Sequence, residues 1–516
     1  MSFNTEQIVQ DIRTEFESML AYVTDSTAKT ADQVERELFK RLLGLGAQLL
    51  LVFFHQRAAS YPHTPVKTED GAELPYRCNK KRSYYSIFGK LPLWRPYFYA
   101  QDGASASPLD ADLSLGADCY SDLLREVAEY LGVDVTYEKV SEIFGRLLGR
   151  ALTTQAIQTH VAEDAADVTA YYEQKPAPGP DSEASILIIQ SDGKGVPMVR
   201  ETAVEAKVRL SKGEKRASKK EAVVTAVYTL VPMVRTPVEV VNSFFHKEQA
   251  APSCSTKRSK PQNKHVWATL TGKDAALQRL AKQVAIRDGA HIQQRVALTD
   301  GCEALQQRIQ HYFPQFTLIL DFIHANEYLW KAANSLFGED SPARDPWVEQ
   351  QTLHILSGQT QQVITHLRSL AQKAKRTKTQ RAALETAANY FQRNRSYMHY
   401  DHYLAQGWPI ASGVIEGACR HFVKDRFELS GMRWTKQGAE NLLLLRAVAE
   451  NGDWDDYHRF RRQQRHLRLY NSPFPDQHAP EQQALAKPTS SKVIRFDQAV
   501  QRRRSQHQQP QQRLAA

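Results

Sequence analysis

Cysteine is scarce in this chain. Five cysteines, at 78, 119, 254, 302 and 419, are spread over 516 residues, and no two form a C-x-x-C pair. That spacing speaks against a disulfide framework and against a cysteine zinc site, and reduced thiols in a cytosol are the default. Long hydrophobic runs are missing too. The longest, Leu42 to Phe54, contains Gln48 and falls short of the roughly 20 apolar residues that span a bilayer. It reads as a buried helix. The opening MSFNTEQIVQDIRTEF is polar and acidic, unlike a secretory signal. The expectation is a soluble, cytoplasmic and nucleoid-associated protein with no membrane partner.

What is present suits an ordinary folded protein, with 42% hydrophobic residues. The length exceeds one compact core and implies several domains. A net charge of +10 favours a polyanionic partner, although many basic proteins share that surplus.

The chain divides by texture into an α+β, multidomain arrangement. Residues 1–60 carry Ile8, Ile12, Phe16 and Leu20 at helical spacing. In 61–117, an aromatic-rich stretch around Gly89-Lys90 predicts a hairpin. Its aromatics alternate with Lys81, Arg82, Lys90 and Arg95, a composition that suits either a phosphate backbone or a small packed sheet. Residues 118–175 read as a helix, a break at Gly149-Arg150 and a helix capped at Thr153-Thr154, the shape of a helix-turn-helix or of a plain helical hairpin. The Pro/Gly-rich segment Gln174 to Ala184 is the best domain boundary. Strand patterns follow at 185–190, 221–230, 295–299 and 318–322, within a unit at 185–324. A charged helical block fills 325–411, two helices fill 412–450, and 451–516 reads as a basic, Gln/Arg-rich tail.

Three acids stand at element ends. Asp192 follows the strand SILIIQ, Asp300 ends RVALTD, and Glu416 lies in the first turn of a helix opened by Ser412-Gly413. Carboxylates at strand ends, with a third on a helix, can converge on one sheet edge and hold Mg²⁺ or Mn²⁺ through oxygen. Two such ions suit in-line phosphoryl displacement. Each acid also has an ordinary reading. Asp-Gly after a strand is a common turn, and Glu416 stands four residues before Arg420, as in an exposed helical ion pair. Spacing therefore suggests a triad and leaves the alternatives open.

The strings SDGKGVPM, GEKRASKKEAVVTAVYTLVP, LTDGCEALQQRIQHYFPQFTLILDFIHANEYLWKAA and SGVIEGACRHFVKDRFELSGMRWTKQGAENLLLLRAV resemble those of bacterial insertion-sequence DDE transposases. The resemblance is to the ISKra-type group, related to Mutator-like transposases, and covers roughly residues 60 to 450. It implies that Asp192, Asp300 and Glu416 are the catalytic, metal-holding acids. It also implies a ribonuclease-H-like catalytic domain, a mixed sheet with helices, carrying a helical insertion after an N-terminal DNA-binding region. The implied partners are the element's terminal inverted repeats and target DNA, with a homo-oligomer pairing the ends. The gaps of 108 and 116 residues between successive acids agree with that pattern. Relatives often open on a cysteine-rich, zinc-finger-like segment. Only Cys78 stands near that position here, so no structural zinc is expected.

Asp321 and His324 resemble the C/D-x-x-H motif that follows the second acid in Mutator-like enzymes. Asp321 is thus an auxiliary acid and a rival to Asp300, and His324 a DNA-contacting or orienting group; a helix cap and a packed histidine are the ordinary readings. Between Lys207 and Lys264 thirteen Lys/Arg face four Asp/Glu, densest at Lys212, Lys215, Arg216, Lys219 and Lys220. Beside a phosphoryl-transfer site such a run suits phosphate contact. Lys194, Arg420, Lys424 and Arg433 extend that expected DNA surface, with Trp434 either stacking on DNA or buried in the core. A nuclease or resolvase that cuts without joining, and a non-catalytic DNA-binding derivative, are the alternative functions.

Overall fold

Residues 5–475 are described by the computed structural model, apart from 26–27, 68–70, 72, 101–102, 200–218, 247–259 and 339. Two helices come first, α1 (Thr5–Thr24) and α2 (Ala31–Ala59), the second opened by a reciprocal cap between Thr30 and Gln33. The expected hairpin follows as β1 (Tyr76–Ser86) and β2 (Gly89–Tyr99), turning at Gly89 with φ +127°. Leu91 and Leu93 of β2 pack with Phe54 of α2. Arg82 and Arg95 both pair with Asp110, so these two arginines serve the fold of the hairpin.

The run Leu42–Phe54 is helical, as expected, but it is not buried. Within α2 only Phe54, His55 and Ala58 are buried, because α1 and the hairpin each cover a single flank. Among the described residues α2 is also the one helix long and apolar enough to cross a membrane.

Four helices come next: α3 (Asp122–Gly132), α4 (Tyr137–Leu148), α5 (Thr154–Asp164) and α6 (Val168–Gln174). Gly149 ends α4 in the left-handed region, and the Thr153 hydroxyl accepts from the Ala156 amide to open α5. This is the local shape the sequence predicts. It is not a free-standing module, however. Val161, Ala165, Val168, Tyr171 and Tyr172 lie in one apolar cluster with the central sheet and the last helices. Gln174–Ala184 is therefore a surface connection across a shared core rather than a boundary between separate cores.

The central sheet has five strands: β3 (Ile186–Pro197), β4 (Lys219–Leu230), β5 (Gln262–Thr269), β6 (Gln294–Thr299) and β7 (Thr317–Leu320), in the order β7-β6-β3-β4-β5. Strands β3, β4 and β5 pair antiparallel, whereas β6 and β7 run parallel to β3. The four residues 186–189 within SILIIQ are all apolar because both faces of β3 are covered. Ile186 and Ile188 enter one cluster, Leu187 and Ile189 the opposite one. The first cluster includes the helical block that starts with α7 (Phe322–Phe337), so the block at 325–411 packs directly on the sheet. Strand β5 was not legible in the pattern. It is an edge strand whose first half, QNKH, is polar, and only Val266, Trp267 and Ala268 are apolar and buried. Phe322, expected to end β7, instead opens α7, because Asp321 caps that helix.

The chain closes with a helical run through Gly413–Ala418, a π-helical turn Cys419–Lys424 and Asp425–Phe427, followed by α8 (Lys436–Glu450) and α9 (Trp454–Tyr470). Helix α9 corrects the first part of the tail expected over 451–516, and residues 476–516 lie outside the described residues. Tyr457, His458 and Arg461 are buried at helical spacing, and Arg461 pairs with Asp122 and Asp164.

Candidate metal centre

Strand register brings three acids together. The β3–β6 ladder pairs Gln190 with Leu298, and the β6–β7 ladder pairs Thr299 with Leu320. Continued by one or two residues, these parallel registers set Asp192, Asp300 and Asp321 side by side at one edge of the sheet. Asp192 does not end its strand, as the sequence suggested. Strand β6 stops at Thr299, while β3 runs on to Pro197 paired with β4 alone. The acid thus stands on a two-stranded ribbon that projects past its neighbours.

Asp192 and Asp300 are half-buried. One Asp192 oxygen accepts from the Gly193 amide at 2.6 Å, and the other lies 3.4 Å from the Cys419 thiol, which donates to it. Asp300 Oδ1 accepts from the Cys302 amide at 2.9 Å, and Tyr390 donates to the Asp300 carbonyl at 3.0 Å. Gly301 between them has φ +87°, and a side-chain carbon there would meet the Tyr390 hydroxyl at 2.6 Å. Only glycine fits this turn.

Glu416 is brought to the same edge by two anchors. Ser412, just before its helix, donates through amide (2.6 Å) and hydroxyl to Asp321 Oδ2. The Ile415 amide donates to Gln190 Oε1 at 2.9 Å, and Gln190 Nε2 donates to Tyr228 at 3.0 Å. Asp321 Oδ1 meanwhile accepts from the Ile323 and His324 amides at 2.6 and 3.2 Å, capping α7. Both Asp321 oxygens are thus engaged and the residue is fully buried. It is less open to an added ligand than Asp300. The π-helical turn after Glu416 then carries Cys419 onto Asp192.

The electrostatics are those of crowded carboxylates. Burial, together with the Asp300 charge, raises Asp192 above the usual carboxylate range. Burial raises Glu416 likewise, reinforced by Asp321 and Asp192. Burial also acts upward on Asp321, but the adjacent His324 imidazole and the Ser412 donors outweigh it and leave the group lowered. The Asp321 carboxylate in turn pushes His324 up to about 9. His324 Nδ1 lies 3.8 Å from Asp321 Oδ1 and 3.9 Å from Glu416 Oε1, at ion-pair rather than hydrogen-bond range. That buried nitrogen has no hydrogen-bond partner. One ligand atom each from Asp321, His324 and Glu416 falls within 4.8 Å of the others. That trio is not the expected one: Asp321 has both oxygens engaged, whereas Asp192, Asp300 and Glu416 offer oxygen donors at the same sheet edge that suit a hard divalent cation. The ordinary alternative for Glu416, an ion pair with Arg420, is not formed among the described residues; its cationic neighbour is His324.

The basic residues singled out in the sequence differ in exposure. Arg420, Lys424 and Arg433 are exposed, and Lys194 and Lys220 are half-buried. Lys219 pairs with Glu428 and is less available to a phosphate. Trp434 is buried, donates to the Phe427 carbonyl at 3.2 Å and lies under the Arg426 guanidinium. It belongs to the core and cannot stack on DNA. Lys212, Lys215 and Arg216 lie outside the described residues. Three supporting residues, Gln190, Ser412 and Cys419, carry no local mark of their role in the sequence. Gln190 leaves only a trace there, as the polar side chain that ends SILIIQ. The chain matches no protein-family model and no curated protein.

Proposed function

We propose that this chain is a metal-dependent DDE-type transposase with a ribonuclease-H-like catalytic core. The observation that carries the reading is the meeting of Asp192, Asp300 and Glu416 at one sheet edge, from a central strand, its parallel neighbour and a late helix. The sheet order supports the core assignment: an antiparallel three-stranded unit whose first strand is central, extended by two parallel strands.

Asp192, Asp300 and Glu416 would hold Mg²⁺ or Mn²⁺, two ions in all, and bound there these supply charge neutralisation to the attacking and leaving oxygens of a phosphodiester. Asp321 is a positioning residue, fixing the start of the Glu416 helix through Ser412. His324 sits between two acids and orients Glu416. Arg420 and Lys424, exposed beyond Glu416, would meet the phosphates of the scissile strand. The attacking group is water in the cutting step and a DNA 3′-hydroxyl in the joining step, with no covalent link to the protein.

The test uses a labelled DNA end carrying the inverted repeat that flanks the gene, with a supercoiled target and Mg²⁺. Joined product that disappears on chelation supports the transposase reading. Cut product without joining supports a nuclease or resolvase instead, and a shifted band without chemistry supports a non-catalytic binder.

A further inference from the structure

Helices α1 and α2 pack antiparallel, with Tyr22 donating to the Gln33 carbonyl and Arg41 reaching Ser18 and Glu15. The seam is regular. Ile8, Ile12, Glu15 and Tyr22 of α1 are half-buried and Met19 is buried, and Val34, Leu38, Arg41, Leu45, Gln48 and Val52 of α2 are half-buried. Both sets follow the alternating three- and four-residue spacing of packed helices.

A second stripe runs beside each seam. On α1 it holds Phe16, Leu20 and Val23; on α2 it holds Phe39, Leu42, Leu49 and Phe53, also at three- and four-residue spacing. Gly46 falls in the same phase, and its missing side chain lets the Phe88 ring of the hairpin lie against α2, where a Cβ would come within 2.7 Å. Phe88 and these seven side chains are each between 40% and 54% exposed. Successive residues on a helix are rotated by about 100°, so each stripe lies roughly a quarter-turn past its own seam in the same sense. In antiparallel neighbours equal offsets of one sense fall on the same side. The stripes therefore form one continuous apolar face.

We propose that this face is the surface on which a second copy of the chain docks, each helical hairpin covering the other to make a four-helix bundle. About half the surface of eight large apolar side chains comes to the order of 700 Å² per protomer, close to the ~800 Å² per partner of a stable interface. An isologous contact sets α1 of one copy across α2 of the other. Helix α1 carries Glu6, Asp11, Glu15 and Glu17 against Arg13, and α2 carries Arg36, Lys40, Arg41 and Arg57 against Asp32, Glu35 and Glu37. Helix α1 is thus net acidic and α2 close to neutral, with Arg36, Arg41 and Arg57 already paired within the chain, so the apolar area carries the contact.

Light scattering on the full-length chain at micromolar concentration, without DNA, tests this independently of any catalytic reading. The expected mass is twice 58.6 kDa for the wild type and 58.6 kDa for Leu42→Glu/Leu49→Glu. Both positions are exposed, so the variant should keep the wild-type circular dichroism spectrum and melting temperature. A monomeric wild type overturns the proposal, whether it stays in solution or floats with phosphatidylglycerol vesicles. So does a dimer that the double variant leaves intact.

Discussion

Asp321 and Asp300 divide two duties between neighbouring strands. Asp321 is closed off by four donors and fixes geometry, whereas Asp300 keeps oxygen capacity for a ligand. That division can be tested at two side chains. Ser412→Ala removes one donor to a buried carboxylate and should cost about 1–3 kcal/mol in unfolding free energy, read by denaturant titration. His324 should titrate near 9 by NMR in the cation-free chain and return toward 6.5 in Asp321→Asn. Since its folded value lies above its unfolded one, the stability it contributes is complete below about 6.5 and is lost as pH rises through about 9. Asp300 and Glu416 were legible as single residues because each stands at a strand end or helix start that the sequence marks. Asp192 was picked out by its Asp-Gly pair although it lies within β3. Gln190 and Ser412 were not, because their partners lie 225 and 91 residues away, and nothing local signals such contacts.

Helix ends were the most legible feature among the elements. Thr153 caps α5 as side-chain chemistry dictates, whereas Ser412 opens the Glu416 helix with its hydroxyl turned to Asp321 instead of to the helix amides. Helix α9 was hidden because its buried face carries His458, Arg461 and His466 rather than an aliphatic stripe. Those groups join α9 to α3 and α5 through a buried cluster of Arg125, Asp164, Arg461, Glu129 and His458. Burial and the Asp164 charge raise Glu129 well above the ordinary carboxylate value, which favours its protonated form. Its stabilising effect is present at low pH and is lost as pH climbs from about 4.5 toward its folded value. Glu129→Gln keeps the shape and the donor while removing the titration. It should raise the melting temperature at pH 8 relative to wild type, with a smaller difference at pH 5. An equal shift at both values would remove Glu129 from the pH response.

Over the whole molecule, the alternation of strand and helix after residue 185 was legible, and so was the surplus of positive charge. The shared core was not. A proline-rich connection resembles a domain boundary in sequence, but Tyr171 and Tyr172 pack against residues from β5 and beyond. On the proposed function, DNA binding should weaken steeply with salt. Arg420→Ala/Lys424→Ala should lower the slope of log affinity against log salt by roughly 2, at about 0.9 for each phosphate no longer neutralised. An unchanged slope would take that helix face off the DNA.

The decisive measurement is the rate of DNA-end joining in Mg²⁺ for wild type, Asp192→Asn, Asp300→Asn and Glu416→Gln, with end binding measured alongside by gel shift. Each substitution should slow joining by about a hundredfold or more, roughly 3 kcal/mol of barrier, while end binding stays within about tenfold. Joining at the wild-type rate in any of the three would mean that the acids at this sheet edge do not act as one cation-holding site.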